Sequence, residues 1–182
     1  MFTIVCAVEQ ETGLIGVNNA LPWVSRIDMQ HFKSITARNN NDVVDPIVIM
    51  GRKTFQSLPQ PLAQRQNYVI SQSKKEDVLS REHKQRVYVF SSFNEALESA
   101  FATRARVYVI GGYRVFKDAL QHPACAMIEM TIIKCKTQLR ECANTNESMV
   151  YFPQIPPCWR NDTYNIIEDE SCYCIFTQYT KI

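Results

Sequence analysis

The ten residues from Val107 to Phe116, reading Val-Tyr-Val-Ile-Gly-Gly-Tyr-Arg-Val-Phe, constrain this chain more than any other stretch. They begin as a β-branched and aromatic run, the pattern of a strand buried on both faces. The run breaks at Gly111-Gly112 and resumes through Arg114-Val115-Phe116-Lys117-Asp118-Ala119-Leu120 with apolar residues at helical spacing. An open α/β sheet uses such a strand–glycine–helix turn to offer backbone N–H groups to a phosphate. Without a Cβ, Gly111 and Gly112 also admit a ligand, or a second strand, to backbone contact. A helix packed tightly on its own strand explains the pair as well, and the G-x-G-x-x-G of the ordinary dinucleotide fingerprint is absent. Glycine is scarce, however. The chain has five (Gly13, Gly16, Gly51, Gly111 and Gly112), fewer than the roughly 7% of an average protein. All five adjoin segments that read as strand ends, where an α/β enzyme builds its site.

Composition narrows the class. The 182 residues suit a single domain, 1–182, with a sizeable core. Hydrophobic content is 46% and charged content 21%, the balance of an ordinary globular chain. The apolar runs are too short for a transmembrane helix, so no membrane role is expected. Met1 to Val8 lacks the basic start of a secretory signal and reads as an immediate strand. Seven cysteines without a CxxC pair or a clustered histidine suit free thiols in the reducing cytoplasm and no metal site. A net charge of +2 gives no reason to expect nucleic acid and leaves room for a small anionic ligand.

Taken in order, Phe2 to Val8 is a buried strand, and Glu9 to Pro22 is a loop turned by Gly13, Gly16, Asn18 and Asn19. Its apolar residues Leu14, Ile15, Leu21 and Trp23 suit either a lid over a ligand or a loop packed on the core. Ser25 opens a helix as its N-cap, and Asp28, three residues on, stands where a capping-box acid belongs. On spacing alone, capping is the simpler account of Asp28. Pro46 to Met50 is a second strand. It ends at Gly51-Arg52-Lys53-Thr54, where cations in the first turn of a helix oppose its dipole and call for a negative neighbour. A solvated basic turn is the plain alternative. Strands follow at Asn67 to Ser71 and Arg86 to Phe90, with a helix capped at Ser92 running to about Thr103. Beyond Met127 the strands come without helices, at Met127 to Ile133, Thr163 to Glu168 and Cys172 to Thr180. Asp169-Glu170-Ser171 would turn a terminal antiparallel hairpin, and Lys134 to Met149 resists assignment. Alternating strands and helices imply a parallel sheet.

Four blocks in register resemble the dihydrofolate reductase family. They are Leu21-Pro22-Trp23 with Asp28, Met29 and Phe32; Val48 to Phe55 with Ser57-Leu58-Pro59 and Pro61-Leu62 to Arg65-Gln66-Asn67; Val109 to Gly112 with Val115-Phe116; and Tyr151-Phe152-Pro153. The likeness runs from about Ile4 to Tyr179. It implies an α/β fold: an eight-stranded, mostly parallel twisted sheet with an antiparallel C-terminal hairpin and about four flanking helices. It implies NADPH-dependent reduction of dihydrofolate to tetrahydrofolate for one-carbon metabolism, and antifolate inhibitors as ligands of a monomer. On the substrate side it implies Val5, Cys6, Asp28, Met29, Phe32, Ser57, Leu58, Leu62, Arg65, Ile110 and Thr131. Asp28 would bond the pterin ring and assist protonation at N5 through water, with Thr131 bonding its carboxylate and Trp23 beside it. Arg65 would clamp the glutamyl tail. On the cofactor side the resemblance implies Ala7, Ile15, Gly16, Leu21, Gly51, Arg52, Lys53, Thr54, Ser71, Gln72, Ser73, Lys74, Ile110, Gly111, Gly112, Tyr113, Arg114, Val115 and Phe116.

Three departures stand out. Phe116 occupies a position where the family usually has tyrosine, Gln64 replaces the usual glycine before Arg65, and Ser148-Met149-Val150-Tyr151 lacks the usual acid–threonine pair. Two other readings compete. The pyrimidine reductase of riboflavin synthesis shares the cofactor half but does not need Leu-Pro-Trp, Asp28 and Arg65 together. A catalytically idle descendant acting as a binding protein has no need of an intact Trp23, Asp28 and Arg65. The length leaves no room for a fused thymidylate synthase domain.

Overall fold

The computed structural model describes residues 1–72, 86–135, 148–168, 170 and 172–182. The expected sheet is present. Its strands are β1 (Phe2–Glu9), β3 (Ile47–Gly51), β4 (Gln66–Ile70), β5 (Val87–Phe90), β6 (Val107–Gly111), β7 (Cys125–Cys135), β9 (Trp159–Glu168) and β10 (Cys172–Lys181). They lie in the order β5-β4-β3-β6-β1-β7-β10-β9. All pairings from β5 to β7 are parallel, and β10 runs antiparallel to both β7 and β9. The helices are α1 (Arg26–Thr36), α2 (Arg52–Ser57), α3 (Phe93–Phe101) and α4 (Tyr113–Gln121).

The order explains why the central strands are apolar throughout. After β1 the chain winds outward through β3, β4 and β5, then returns to insert β6 between β3 and β1. That reversal places α1 and α2 on one face and α3 and α4 on the other. Phe32, Ile35 and Phe55 pack with Val5, Val48, Met50 and Val69 on the first face. Ala96, Leu97, Val115, Phe116 and Ala119 pack with Ile4, Ile49 and Val109 on the second. Alternate residues of one strand therefore enter two cores, which is why Ile47 to Met50 are all fully buried. A third cluster, Trp23, Ile133, Cys172, Cys174 and Phe176, sits under the start of α1.

Two local expectations change. The stretch from Glu9 to Pro22 is not loop throughout, because Leu14–Val17 forms β2, paired antiparallel with β8 (Met149–Tyr151) in a separate two-stranded sheet. A pairing partner more than a hundred residues away supplies the hydrogen bonds that a local reading cannot see. Gly13, Asn18 and Asn19 do form the turns, each at positive φ. Helix α3 ends at Phe101, two residues before the expected end. Ser92 caps it by accepting the Glu95 N–H, but the Glu95 carboxylate reaches back to the N–H and hydroxyl of Ser91. Asp169 and Ser171 of the expected hairpin turn lie outside the described residues, as does most of Lys134 to Met149.

Candidate active site

The reversal of strand order opens a crevice at the carboxyl ends of β1, β3 and β6, the place where open α/β sheets take ligands. A cavity of about 1050 Å³ fills it. Ligand pockets span roughly 300–1,000 Å³, so this one lies at the upper end of that range.

Its floor is the glycine pair. Gly111 has φ +122°, and a Cβ there would meet the Phe116 ring at 3.2 Å; a Cβ on Gly112 would meet Thr54 Oγ1 at 3.2 Å. Backbone, threonine hydroxyl and aromatic ring are thus packed as closely as a missing side chain allows. The Gly111–Gly112 peptide is cis. Gly51 and Gly112 are the N-caps of α2 and α4, and neither helix start is satisfied by a capping side chain. Both helix starts line the cavity, with Arg52, Lys53, Thr54 and Arg114 around them.

Asp28 stands at the other end. Ser25 caps α1 by accepting the Asp28 N–H at 3.2 Å, so the cap uses the backbone of Asp28. Its carboxyl group turns into the cavity and is only 6% exposed. Burial pushes this carboxyl above its ordinary range, and the side chains of Thr131 and Trp23 offset part of the rise by hydrogen bonding. The Trp23 indole nitrogen is fully buried and has no partner of ordinary hydrogen-bond geometry, although it lies close enough to act on Asp28. Burial, and secondarily the Asp28 charge, hold the neighbouring Cys6 thiol protonated. Capping explains the helix start, and a tertiary contact explains the carboxyl.

Nearly all the residues expected in the site line this one cavity. Val5, Cys6, Met29, Phe32, Ser57, Leu58, Leu62, Ile110 and Thr131 surround the Asp28 end; Ala7, Ile15, Gly16, Leu21, Ser71, Gln72 and the runs Gly51 to Thr54 and Gly111 to Phe116 surround the glycine end. Ser73 and Lys74 fall outside the described residues. Trp23 sits behind the wall at 6% exposure. Arg65 is also off the wall and is 5% exposed. Its Nε donates to the Ala63 carbonyl and its Nη1 to Thr36 Oγ1, each at 2.9 Å, with the guanidinium 5.9 Å over the Phe32 ring. Gln64 adopts φ +59°, so the turn before Arg65 keeps the left-handed backbone that glycine would take freely.

Sequence reasoning missed part of the wall. Ser91 to Phe93 line the glycine end, and Met149 to Tyr151 reach the cavity because β8 carries them against β2. His31 and Glu129 line the Asp28 end. Periodicity held a signal for both, since His31 lies one helical turn after Asp28 and Glu129 two strand residues before Thr131.

A cavity across the central strand ends, with helix starts at one end and a buried carboxyl at the other, marks an α/β protein with a ligand site where its strand order reverses. The dihydrofolate reductase family model matches residues 1–181, and the chain belongs to that family. Among its relatives is a bifunctional dihydrofolate reductase-thymidylate synthase of Paramecium tetraurelia, 36% identical over 146 residues, covering 80% of this chain and 28% of the relative. A second such bifunctional protein, from Arabidopsis thaliana, is 30% identical across the whole chain and covers 34% of the relative. A dihydrofolate reductase of Aedes albopictus is 30% identical over 85% of this chain and 80% of its own length. The chain thus spans about a third of the length of the bifunctional relatives. No helix among the described residues is long and apolar enough to cross a membrane.

Proposed function

We propose that this protein reduces 7,8-dihydrofolate to 5,6,7,8-tetrahydrofolate with NADPH, as a monomer in the cytoplasm. The observation that carries the reading is the Asp28 carboxyl, buried in the same cavity as the glycine floor. The residues present fit the cofactor. Gly111 and Gly112 bring bare backbone to the cavity floor, where a Cβ would crowd Phe116 and Thr54, and the start of α4 with Arg52, Lys53, Thr54 and Arg114 suits phosphates. Bound there, NADPH supplies the hydride for C6 of dihydrofolate.

This chain's residues do the rest. Asp28 accepts the amino group and ring N–H of the pterin, and its raised affinity for a proton keeps an acid available for N5. Trp23 directs its buried N–H toward the same region, where a water would complete its hydrogen bonding and carry that proton. Met29, Phe32, Leu58 and Leu62 form the apolar wall beneath the benzoyl group. Arg65, held by Thr36 and Ala63 just behind the wall, would clamp the glutamate carboxylate. The lid strand β2, docked on β8, excludes water over the nicotinamide side. Antifolates compete for the Asp28 end. Ser71 and Gln72, with Ser73 and Lys74, favour NADPH over NADH by meeting the 2′-phosphate.

Purified protein is expected to oxidise NADPH only when dihydrofolate is added, and NADH more slowly. Folded protein that leaves the nicotinamide absorbance unchanged with both ligands present would sink the proposal.

A further inference from the structure

The polar end of the cavity holds a hydrogen-bonded group that the proposed reaction does not yet use. Glu129 on β7 accepts from Tyr164 through Oε2 at 3.1 Å and from Gln178 through Oε1 at 2.5 Å. The Tyr164 hydroxyl also lies 3.0 Å from His31 Nε2. Tyr164 reaches both because β9 carries a bulge. Phe176 pairs with Asn165 and Thr177 with Thr163, so Tyr164 is the extra residue of its strand. Bulges re-aim a side chain, and this one directs a phenol across β10 to a helix and a strand of the site.

The protons can be counted. A tyrosine has one hydroxyl proton, and Tyr164 gives it to Glu129. The contact with His31 Nε2 is then an imidazole N–H donating to the phenol oxygen. That fixes the tautomer and leaves Nδ1 with the lone pair. The Phe176 ring, 4.0 Å away between centroids, holds the plane of the imidazole.

We propose that His31 is a proton-loading residue of this site: its Nδ1 takes a proton from solvent and passes it into the cavity toward Asp28, while Tyr164 and Glu129 hold its tautomer. The inference rests on the reductase reading, in which each turnover consumes one proton at N5. The balance is simple. A hydronium ion protonates Nδ1, the imidazolium releases that proton to cavity water or the Asp28 carboxylate, and the Nε2–H bond never breaks. The groups facing His31 are Glu129 from β7, Tyr164 from β9 and Phe176 from β10; Asp28, one turn back on α1, lines the same cavity, and the Glu129 charge also acts on Tyr108 of β6. Burial lowers the His31 pKa and the Glu129 charge partly restores it, so the ring is neutral at rest and releases a proton readily.

The test follows hydride transfer in pre-steady state across pH for the wild type, His31→Gln and Tyr164→Phe. His31→Gln is expected to slow the step about tenfold near pH 8 and far less near pH 6, where bulk protons are plentiful, with added imidazole restoring the rate. Tyr164→Phe is expected to lie between. A profile parallel to the wild type at every pH, whether unchanged or uniformly lowered, overturns the proposal. Nitrogen-15 spectra of ligand-free protein give a readout independent of turnover: His31 is expected as the Nε2–H tautomer and mixed in Tyr164→Phe. An Nδ1–H tautomer in the wild type overturns the proposal as well. Wild-type protein that does not oxidise NADPH with dihydrofolate would instead refute the reductase reading, whatever the tautomer.

Discussion

At the scale of single residues, Asp28 sets function against stability. Its folded pKa lies above the ordinary value, so between the two values the native state holds more protons than the unfolded chain. Stability contributed at this position is therefore full in acid and falls as pH rises through that window. Asp28→Asn removes the charge that burial penalises. The variant is expected to melt higher than the wild type at neutral pH, and the advantage should vanish below the ordinary carboxylate range. Its hydride transfer should fall by about 10²-fold or more while NADPH still binds. Melting curves and stopped-flow rates over the same pH series check both halves; an unchanged rate would make Asp28 only a helix residue. Gly112→Ala is a different kind of change. Its Cβ would press on Thr54 Oγ1 at 3.2 Å, so weaker NADPH binding is expected, with about 1 kcal/mol or more of lost stability. Cofactor titration and denaturant unfolding read these out.

At the scale of elements, the segment proposed to cover the cavity is a strand, β2, held at both ends. Glu9 closes its first turn, its carboxylate accepting the Thr12 N–H and hydroxyl at 2.7 Å and the Glu11 N–H at 3.0 Å. Burial raises the Glu9 pKa, but these hydrogen bonds outweigh it and hold the group below its ordinary value. The sign is opposite to that of Asp28. The stabilisation is present above the unfolded pKa and is lost as pH falls through the folded one. At the far end, Asn18 Oδ1 accepts the Ser148 N–H and the Asn18 N–H donates to the Ser148 carbonyl, both at 3.1 Å. Glu9→Gln should raise hydrogen exchange at the Thr12 amide at neutral pH. The wild type should reach a similar rate only in acid, after correction for intrinsic exchange. Equal protection in both proteins at neutral pH would show that β2–β8 pairing alone holds the lid.

For the whole molecule, the cavity is the largest structural fact, and ligands that bind only the folded state must stabilise it. At a hundredfold excess over its dissociation constant, a ligand adds about 2.7 kcal/mol. NADPH is expected to raise Tm, NADH at the same concentration to raise it less, and dihydrofolate to add a further increment. Scanning calorimetry with each ligand alone and together tests this; no shift with NADPH would mean the glycine floor holds no cofactor.

Much of this was legible in the chain itself. The apolar runs of β3 and β6, the cap at Ser25 and the glycines at strand ends are set by neighbours a few residues away, and local chemistry governs them. Strand β2 was not legible, because Leu14–Val17 becomes a strand only when Met149–Tyr151 arrives beside it. His31 and Glu129 escaped notice for a similar reason. Their meaning lies in Tyr164, brought to them by a bulge and two antiparallel pairings. By itself the sequence determined the parallel sheet, its helices, the glycine floor and the family. Only the tertiary structure decided that Asp28 lines the cavity as well as following the cap, that Leu14–Val17 is a paired strand, and that Tyr164 meets both His31 and Glu129. The physical reason is range: propensity and capping act within a turn or two, whereas burial and hydrogen bonding across the sheet depend on which distant segments meet.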